Sequence, residues 1–320
     1  MIYVGLFIFS FIITYFIKEH AIKNSLVAEI NERSSHTVPT PHGGGIAIAI
    51  TWFLGLSYLF FINEINTSLY YALMVGLLIA VVSYLDDLYE LKPRTRFLTQ
   101  LITAVTGLLS LGGLNVLDFG LFTIENPIIT NSIAVVAIIW FINLYNFLDG
   151  IDGYAGSEAI FLAIAGYLLF GDVHFAVLIA AVLGFLIWNW HTAKIFMGDV
   201  GSTLLGYNIA IFTIYYANQE AGNLWIWLIL FGLFWFDATL TLFRRYRNKE
   251  KLSEAHKKHV YQRLNQSGWS HSKVVLWSIA VNAILLGLVY FISNKLIIFV
   301  IAILILYAIV RFVDTKKSFD

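Results

Sequence analysis

Eleven apolar runs follow one another along the chain, each about the length of a helix and each ended by a short polar segment. They lie near 1–17, 45–62, 68–85, 97–113, 129–147, 157–171, 174–190, 201–217, 224–243, 273–292 and 296–312. A helix rises ~1.5 Å per residue, so about 20 mainly apolar residues carry it through a hydrocarbon core about 30 Å thick. Inside that core every backbone amide needs a partner in the protein, and a helix supplies one. The pattern therefore predicts an all-α, polytopic integral membrane protein of about eleven transmembrane helices, or ten if the slight break at 171–174 is not a true one. A soluble domain is excluded, because 59% of the residues are hydrophobic and only 12% charged. Too little chain lies between the runs for a second domain, so residues 1–320 read as one multi-pass unit. Cysteine is absent, which removes disulfides and thiolate metal sites. The first run has neither a basic leader nor a small-residue cleavage site, and reads as a retained helix.

Positive charges set the orientation, since Lys and Arg gather on the cytoplasmic side of a membrane protein. Seventeen of the twenty lie in the segments after runs one, three, seven, nine and eleven, and Arg311 stands in the last turn of run eleven. Among them are Arg33 in the first such segment and eight between Arg244 and Arg263. Lys273 starts a run, and Lys295 stands alone on the other side. An eleven-span chain with its N-terminus outside accounts for this distribution.

Four polar clusters then share the cytoplasmic face, as a site assembled from several loops requires. "YLDDLYE" (84–90) ends run three. The negative end of the helix dipole disfavours a carboxylate there by ~0.3–1 kcal/mol, so Asp86 and Asp87 call for a cation. Mg²⁺ fits that need, because it takes one or two carboxylates together with waters and phosphate oxygens. "NLYNFLDGIDGYAG" (143–156) ends run five. Its threefold spacing stacks Asn143, Asn146 and Asp149 on one helix face, and Gly150, Gly153 and Gly156 permit a tight turn. The plainer alternative is a capped loop in which Asp149 and Asp152 bond nearby amides.

Asp199 in "KIFMGDVGS" (194–202) is readable as an N-cap. Beside Gly198 and Gly201 it is equally readable as part of a phosphate site at a helix N-terminus. "HKKHVYQRL" (256–264) sets His256 and His259 among basic neighbours, a composition that suits an anion as well as solvent. The "HGGG" from His42 reads as no more than a tight entry into run two. Asp237, inside run nine, is costly unless paired, and Arg244 two turns along is its candidate partner.

Taken in order, "VPTPHGGGIAI", "YLDDL", "NLYNFLDGIDGYAG", "KIFMGDVGS" and "HKKHVYQRL" resemble the motif set of the polyprenyl-phosphate N-acetylhexosamine-1-phosphate transferases. The resemblance covers about residues 33–270. It implies transfer of a sugar 1-phosphate from a UDP-sugar to undecaprenyl phosphate with release of UMP, at a cytoplasmic-facing site of the inner membrane. Mg²⁺ is the implied cofactor, with Mn²⁺ able to replace it. It also implies roles: Asp86 as the activating base, Asp87 and Asp199 as metal ligands, and Asn146 and Asp149 as organisers of diphosphate and metal. Asp152 and Phe196 would hold the uracil, while His256 and His259 would neutralise phosphate. Asn143, His42 and Arg263 complete the expected substrate contacts.

The spaced histidines of "HKKH" are more similar to the branch acting on simple N-acetylated hexosamines for surface polysaccharide such as O-antigen. They depart from the consecutive histidines of the phospho-N-acetylmuramoyl-pentapeptide transferase, the runner-up within the family. A secondary transporter is the alternative from another class, disfavoured because carriers place polar residues near the midplane. The expected partners are the lipid, the UDP-sugar and the bilayer, with a homodimer left open and no nucleic acid.

Overall fold

Each of the eleven runs becomes a helix, or two helices joined at a break, in the computed structural model, which describes residues 1–24, 27–28, 39–220, 222–252, 254 and 256–319. Arg33 and the first residue of the "VPTPHGGG" motif lie outside the described residues. In chain order the helices are α1 (Ile2–Lys23), α2 (Gly45–Phe61), α3 (Thr67–Met74), α4 (Gly76–Tyr89), α5 (Pro93–Ser110), α6 (Pro127–Phe147) and α7 (Tyr154–Phe170). There follow α8 (His174–Asn189), α9 (Asp199–Gln219), α10 (Asn223–Leu230), α11 (Gly232–Arg247), α12 (Val260–Gln266), α13 (His271–Phe291) and α14 (Lys295–Lys316). Two antiparallel ladders of two residues per strand accompany them: β1 (Val27–Ala28) with β2 (Thr40–Pro41), and β3 (Leu117–Asp118) with β4 (Thr123–Ile124).

Local chemistry sets the ends. Pro127 opens α6 behind Asn126, whose side chain accepts from the amides of Ile128 and Ile129, a cap followed by the one residue with no amide to satisfy. Gly153 and Gly171 bracket α7 with φ of 75° and 78°, a conformation glycine reaches without strain.

The breaks have causes too. Between α3 and α4 the Tyr207 hydroxyl donates to the Ala72 carbonyl at 2.6 Å. It satisfies a group that the interrupted ladder leaves without its usual partner. Between α10 and α11 the axis turns by 73°, and the Trp235 indole donates to the Leu228 carbonyl at 2.6 Å.

At the centre stands α9, buried along nearly all its length against α6, α4, α2, α5 and α10. A side chain at Gly206 would meet the Phe141 carbonyl at 2.5 Å and the Ile142 Cα at 2.9 Å, so this glycine lets α6 and α9 approach backbone to backbone. On length and apolar composition, five units are able to cross a bilayer, or six with the bent pair α10–α11 joined, while α2, α7 and α8 are apolar but shorter. The polar residues of α9 do not conflict with its central place. Thr203 and Thr213 donate to the carbonyls of Asp199 and Ile209 at 2.7 Å each, so they carry their own partners inside the bundle. Large apolar side chains cover the outside on many helices, among them Phe16, Leu109, Leu168, Ile284 and Leu304. The chain is a multi-pass membrane protein.

Candidate active site

The site begins as a backbone seam. The amide of Phe196 donates to the Pro41 carbonyl at 2.8 Å, Gly44 donates to the Phe196 carbonyl at 2.9 Å, and Gly45 donates to the Met197 carbonyl at 2.8 Å. A Cβ on Gly45 would lie 2.2 Å from the nitrogen and 2.5 Å from the Cα of Gly201. The "HGGG" segment is thus more than a turn: it clamps the start of α2 onto the start of α9. Gly198 precedes α9 with φ of 74°, and a side chain there would meet Asp87 Oδ2 and the Gly43 amide, each at 3.3 Å. The glycines therefore draw His42, Asp87 and Asp199 to one end of the bundle.

Asp199 is the first residue of α9, whose N-cap is Gly198, and its side chain makes no capping bond. The N-cap reading falls away. Its Oδ1 accepts from Asn146 Nδ2 at 2.9 Å, and the same amide group reaches Ser202 Oγ at 2.9 Å. The charge of Asp199 acts on Asp87, Asp149 and His42. Burial, reinforced by Asp199, pushes the Asp149 carboxyl up to about 7. Burial holds the His42 imidazole below its ordinary value, with Asp199 partly opposing it. Among the described residues, none of Asp87, Asp149 and Asp199 forms an ion pair with a Lys or Arg. Three carboxylates and an asparagine amide are hard oxygen donors, a chemistry that suits a divalent cation, while among the described residues the ligand atoms that lie within 4.8 Å of one another are those of Asp152, His191 and His271.

Neighbouring Asp86 goes elsewhere. It is buried at 8% exposure, accepts the Leu91 amide at 2.7 Å, and pairs with Arg96 at 3.3 Å. Helical geometry turns adjacent side chains about 100° apart, so one aspartate closes the α4–α5 turn and the other faces Asp199. The base expected at Asp86 is a carboxylate paired with Arg96 in this structure.

The Asn143–Asn146–Asp149 ladder also divides. Asn143 donates to Gln100 Oε1 at 2.8 Å and to the Ile139 carbonyl at 2.7 Å, tying α6 to α5. Asn146 bonds Asp199 and Asp149 lies within reach of its charge, while Asn143 is in a helix-to-helix tie. Asp152, past the turn, is 5% exposed. Its Oδ2 lies 2.9 Å from His191 Nδ1 and 3.2 Å from His271 Nδ1, and accepts the Ala193 amide at 3.2 Å. Burial alone would raise this carboxyl, yet the bonds from His271, His191 and Ala193 hold it below its ordinary range.

These bonds tie Asp152 to the 191–193 segment, which leads on to Phe196. Asp152, His191 and His271 bring their ligand atoms within 4.8 Å of one another, an Asp/His group with two members buried and His191 exposed that could itself bind a metal. Sequence reasoning missed both histidines. The signal was "NWHTAKIFMGD", in which His191 stands three residues before the motif as first delimited.

In the last polar loop, His259 is buried with Nδ1 3.3 Å from Asp237 Oδ1, and the Val260 amide donates to both Asp237 oxygens at 3.0 and 2.9 Å. Arg244 instead forms a two-pronged pair with Asp314 at 2.9 and 2.7 Å. The α11 aspartate therefore takes its partners from the loop ahead, not from the arginine expected. Arg263, 2% exposed, is spent on Asp314, the Lys317 carbonyl and the face of Phe319. It ties α12 to the C-terminal helix in this structure. His256 lies 4.9 Å from the His259 ring. Burial, aided by His259 and Arg245, pushes it down to about 4, so near pH 7 it offers a neutral donor and acceptor, not the charge expected for phosphate. The Tyr261 hydroxyl donates to the Phe147 carbonyl at 3.2 Å, joining this loop to the end of α6.

Carboxylates at helix ends, closed in by glycine backbone and set at one end of a membrane bundle, define a membrane-embedded enzyme for phosphorylated substrates. The sequence profile of glycosyl transferase family 4 matches residues 69–217. The probable undecaprenyl-phosphate N-acetylglucosaminyl 1-phosphate transferase of Bacillus subtilis is 33% identical over 284 residues, covering 83% of this chain and 76% of that one. The decaprenyl-phosphate N-acetylglucosaminephosphotransferase of Mycobacterium tuberculosis is 31% identical over 312 residues, with the same coverage. The undecaprenyl-phosphate alpha-N-acetylglucosaminyl 1-phosphate transferase of Yersinia pestis is 27% identical over 315 residues, covering 91% and 83%. The chain belongs to glycosyl transferase family 4.

Proposed function

We propose that the chain transfers N-acetylglucosamine 1-phosphate from its UDP ester to undecaprenyl phosphate, releasing UMP and starting a surface glycan. The observation that carries this reading is the convergence of Asp87, Asn146 and Asp199 on the glycine seam, with Asp149 within reach of the Asp199 charge. The N-acetylglucosaminyl 1-phosphate and undecaprenyl-phosphate specificities of the relatives support the donor and the acceptor. Asp87 and Asp199 would hold Mg²⁺, with Asn146 and Asp149 orienting that group. The ion, when bound, supplies compensation for the charge that phosphoryl transfer gathers.

Transfer of the sugar with its phosphate requires that an oxygen of the lipid phosphate bond to the sugar-bearing phosphorus. The bridging bond to the uridylyl phosphate breaks, and UMP leaves with the electron pair. A phosphate monoester has its second pKa near ~6, so the acceptor is largely dianionic at neutral pH and needs no base. That agrees with an Asp86 engaged by Arg96. Neutral His256 donates a hydrogen bond at the phosphates, and Phe196, held by Asp152 through the 191–193 segment, offers its ring to the uracil. The eleven helical units would be eleven spans, with the N-terminus outside and the site facing the cytoplasm of the inner membrane. That orientation puts eighteen of twenty basic residues on one side.

A panel of UDP-sugars offered to the detergent-solubilised enzyme with undecaprenyl phosphate tests the assignment. UDP-N-acetylglucosamine should give the highest kcat/KM and a lipid-linked diphosphate sugar. Equal or greater kcat/KM with another sugar would overturn the donor.

A further inference from the structure

The loop that carries His256 and His259 is held at its back by Phe319, which follows α14 and is only 9% exposed. Three cations lie over that ring. The Arg244 guanidinium of α11 is 4.5 Å from its centre, the Lys258 ammonium of the loop 5.1 Å, and the Arg263 guanidinium of α12 5.6 Å. A cation within ~6 Å of an aromatic centroid is attracted by the negative face of the ring, more strongly where water is excluded. Carboxylates hold the same cations from other sides. Asp314 pairs with Arg244 and Arg263, and Glu250 pairs with Lys258 at 2.8 Å and with Arg245 at 3.1 Å. Two carboxylates thus serve four cations, an excess of like charge that the face of Phe319 offsets. One ring joins α11, the loop and α12.

What the loop gains is a fixed imidazole. The Lys258 amide donates to His256 Nδ1 at 3.2 Å, so Nδ1 is the acceptor of that ring, and the neutral imidazole carries its proton on Nε2. The side chain of the same lysine is anchored on Glu250 and Phe319, which fixes where its amide points. The next amide, that of His259, donates to Gln262 Oε1 at 3.2 Å. Gln262 belongs to α12, the helix that Arg263 ties to Asp314 and Phe319. We propose that Phe319 is a positioning residue for the transfer reaction. Its ring holds Lys258, the Lys258 amide sets the tautomer of His256, and His256 is left with Nε2–H as the donor to phosphate. The use of that donor rests on the function proposed above, whereas the hold of Phe319 on the loop does not.

Substitutions at Phe319 in the full chain separate the face of the ring from its volume. Leucine fills similar space without a π face, alanine removes both, and tyrosine keeps both. Phe319→Ala and Phe319→Leu should lower kcat/KM for the UDP-sugar by ~10-fold or more, within the ~10² that displacing a positioned group costs. Phe319→Tyr, which keeps the face, should stay within about twofold of the native value. The loss should also vanish where His256 is gone, since residues that act through one another are not additive. Phe319→Ala should therefore cost less than about twofold in a chain that already carries His256→Ala, whereas a purely structural role would cost as much there as in the native chain. Hydrogen exchange in detergent supplies a readout without activity. The amides of Lys258 and His259 should exchange at least about tenfold faster in Phe319→Leu than in the native chain, with α13 unchanged, as expected of a local opening. Native kcat/KM in Phe319→Leu, full additional loss in the double variant, or unchanged exchange of the two amides would each overturn the proposal. A native enzyme that transfers no sugar phosphate would refute the proposed function instead, and the exchange would still decide whether Phe319 holds the loop.

Discussion

Asp199→Asn separates a metal ligand from a structural residue. The amide oxygen of asparagine can still accept the bond that Asn146 makes to Asp199 at 2.9 Å. Helix α9 loses a negative charge in its first turn, worth ~0.3–1 kcal/mol of dipole interaction. Against that, Asp87 and Asp149 no longer face a third carboxylate, so part of the loss is returned. Unfolding stability without metal should therefore change by less than about 1 kcal/mol. Catalysis should suffer far more. A single electrostatic contact to the charge developed in a transition state is worth ~3–4 kcal/mol, or ~10²–10³ in kcat. Thermal unfolding in detergent measures the first quantity, and initial rates of UMP release across a Mg²⁺ titration measure the second. Near-native turnover at saturating Mg²⁺, with unchanged stability, would refute the role given to Asp199.

Gly45→Ala places a methyl 2.2 Å from the Gly201 nitrogen, backbone that cannot swing aside, and should cost about 3 kcal/mol or more. Gly287→Ala in α13, with nothing within 4 Å, should instead stabilise by up to ~1 kcal/mol; equal Tm values for the two variants would contradict the clamp. Asp152→Ala strips the acceptor from His191, His271 and the Ala193 amide and should cost ~1–3 kcal/mol. It should raise the KM for the UDP-sugar through the Phe196 segment while sparing the acceptor KM, and unchanged stability would refute the bracing role. His256 has its pKa depressed to about 4, so its contribution to stability is complete above its ordinary value near ~6.5 and is lost as pH falls toward 4. That loss amounts to at most ~1.4 kcal/mol per pH unit. Unfolding curves of the native protein and His256→Gln across this window should diverge, and parallel curves would contradict the buried neutral imidazole.

The helices were legible because run length and apolar composition act on each segment separately, and all eleven runs are helical. The meeting of Asn146, Asp149 and Asp199 was legible because each closes or opens a helix on the face marked by the basic residues. What one segment cannot reveal is which neighbour covers its side. Asp86 and Asp87 look alike in sequence, and only the position of α5 gives Arg96 to the first. Asn143 shares the spacing of Asn146, yet Gln100 claims it. Asp237 lies two turns from Arg244, but the Val260 amide and His259 from the next loop reach it. Arg263 has the charge for phosphate and is buried against the C-terminal helix instead. His191 and His271 are eighty residues apart and meet only because Asp152 lies between them.

UMP release by the purified enzyme in vesicles, with UDP-N-acetylglucosamine and Mg²⁺ and with undecaprenyl phosphate present or absent, tests the central claim most directly. Release should require the lipid phosphate, match the lipid-linked sugar mole for mole, and stop when Mg²⁺ is chelated. Release that proceeds equally without the lipid, or lipid-linked sugar formed without UMP, would contradict it.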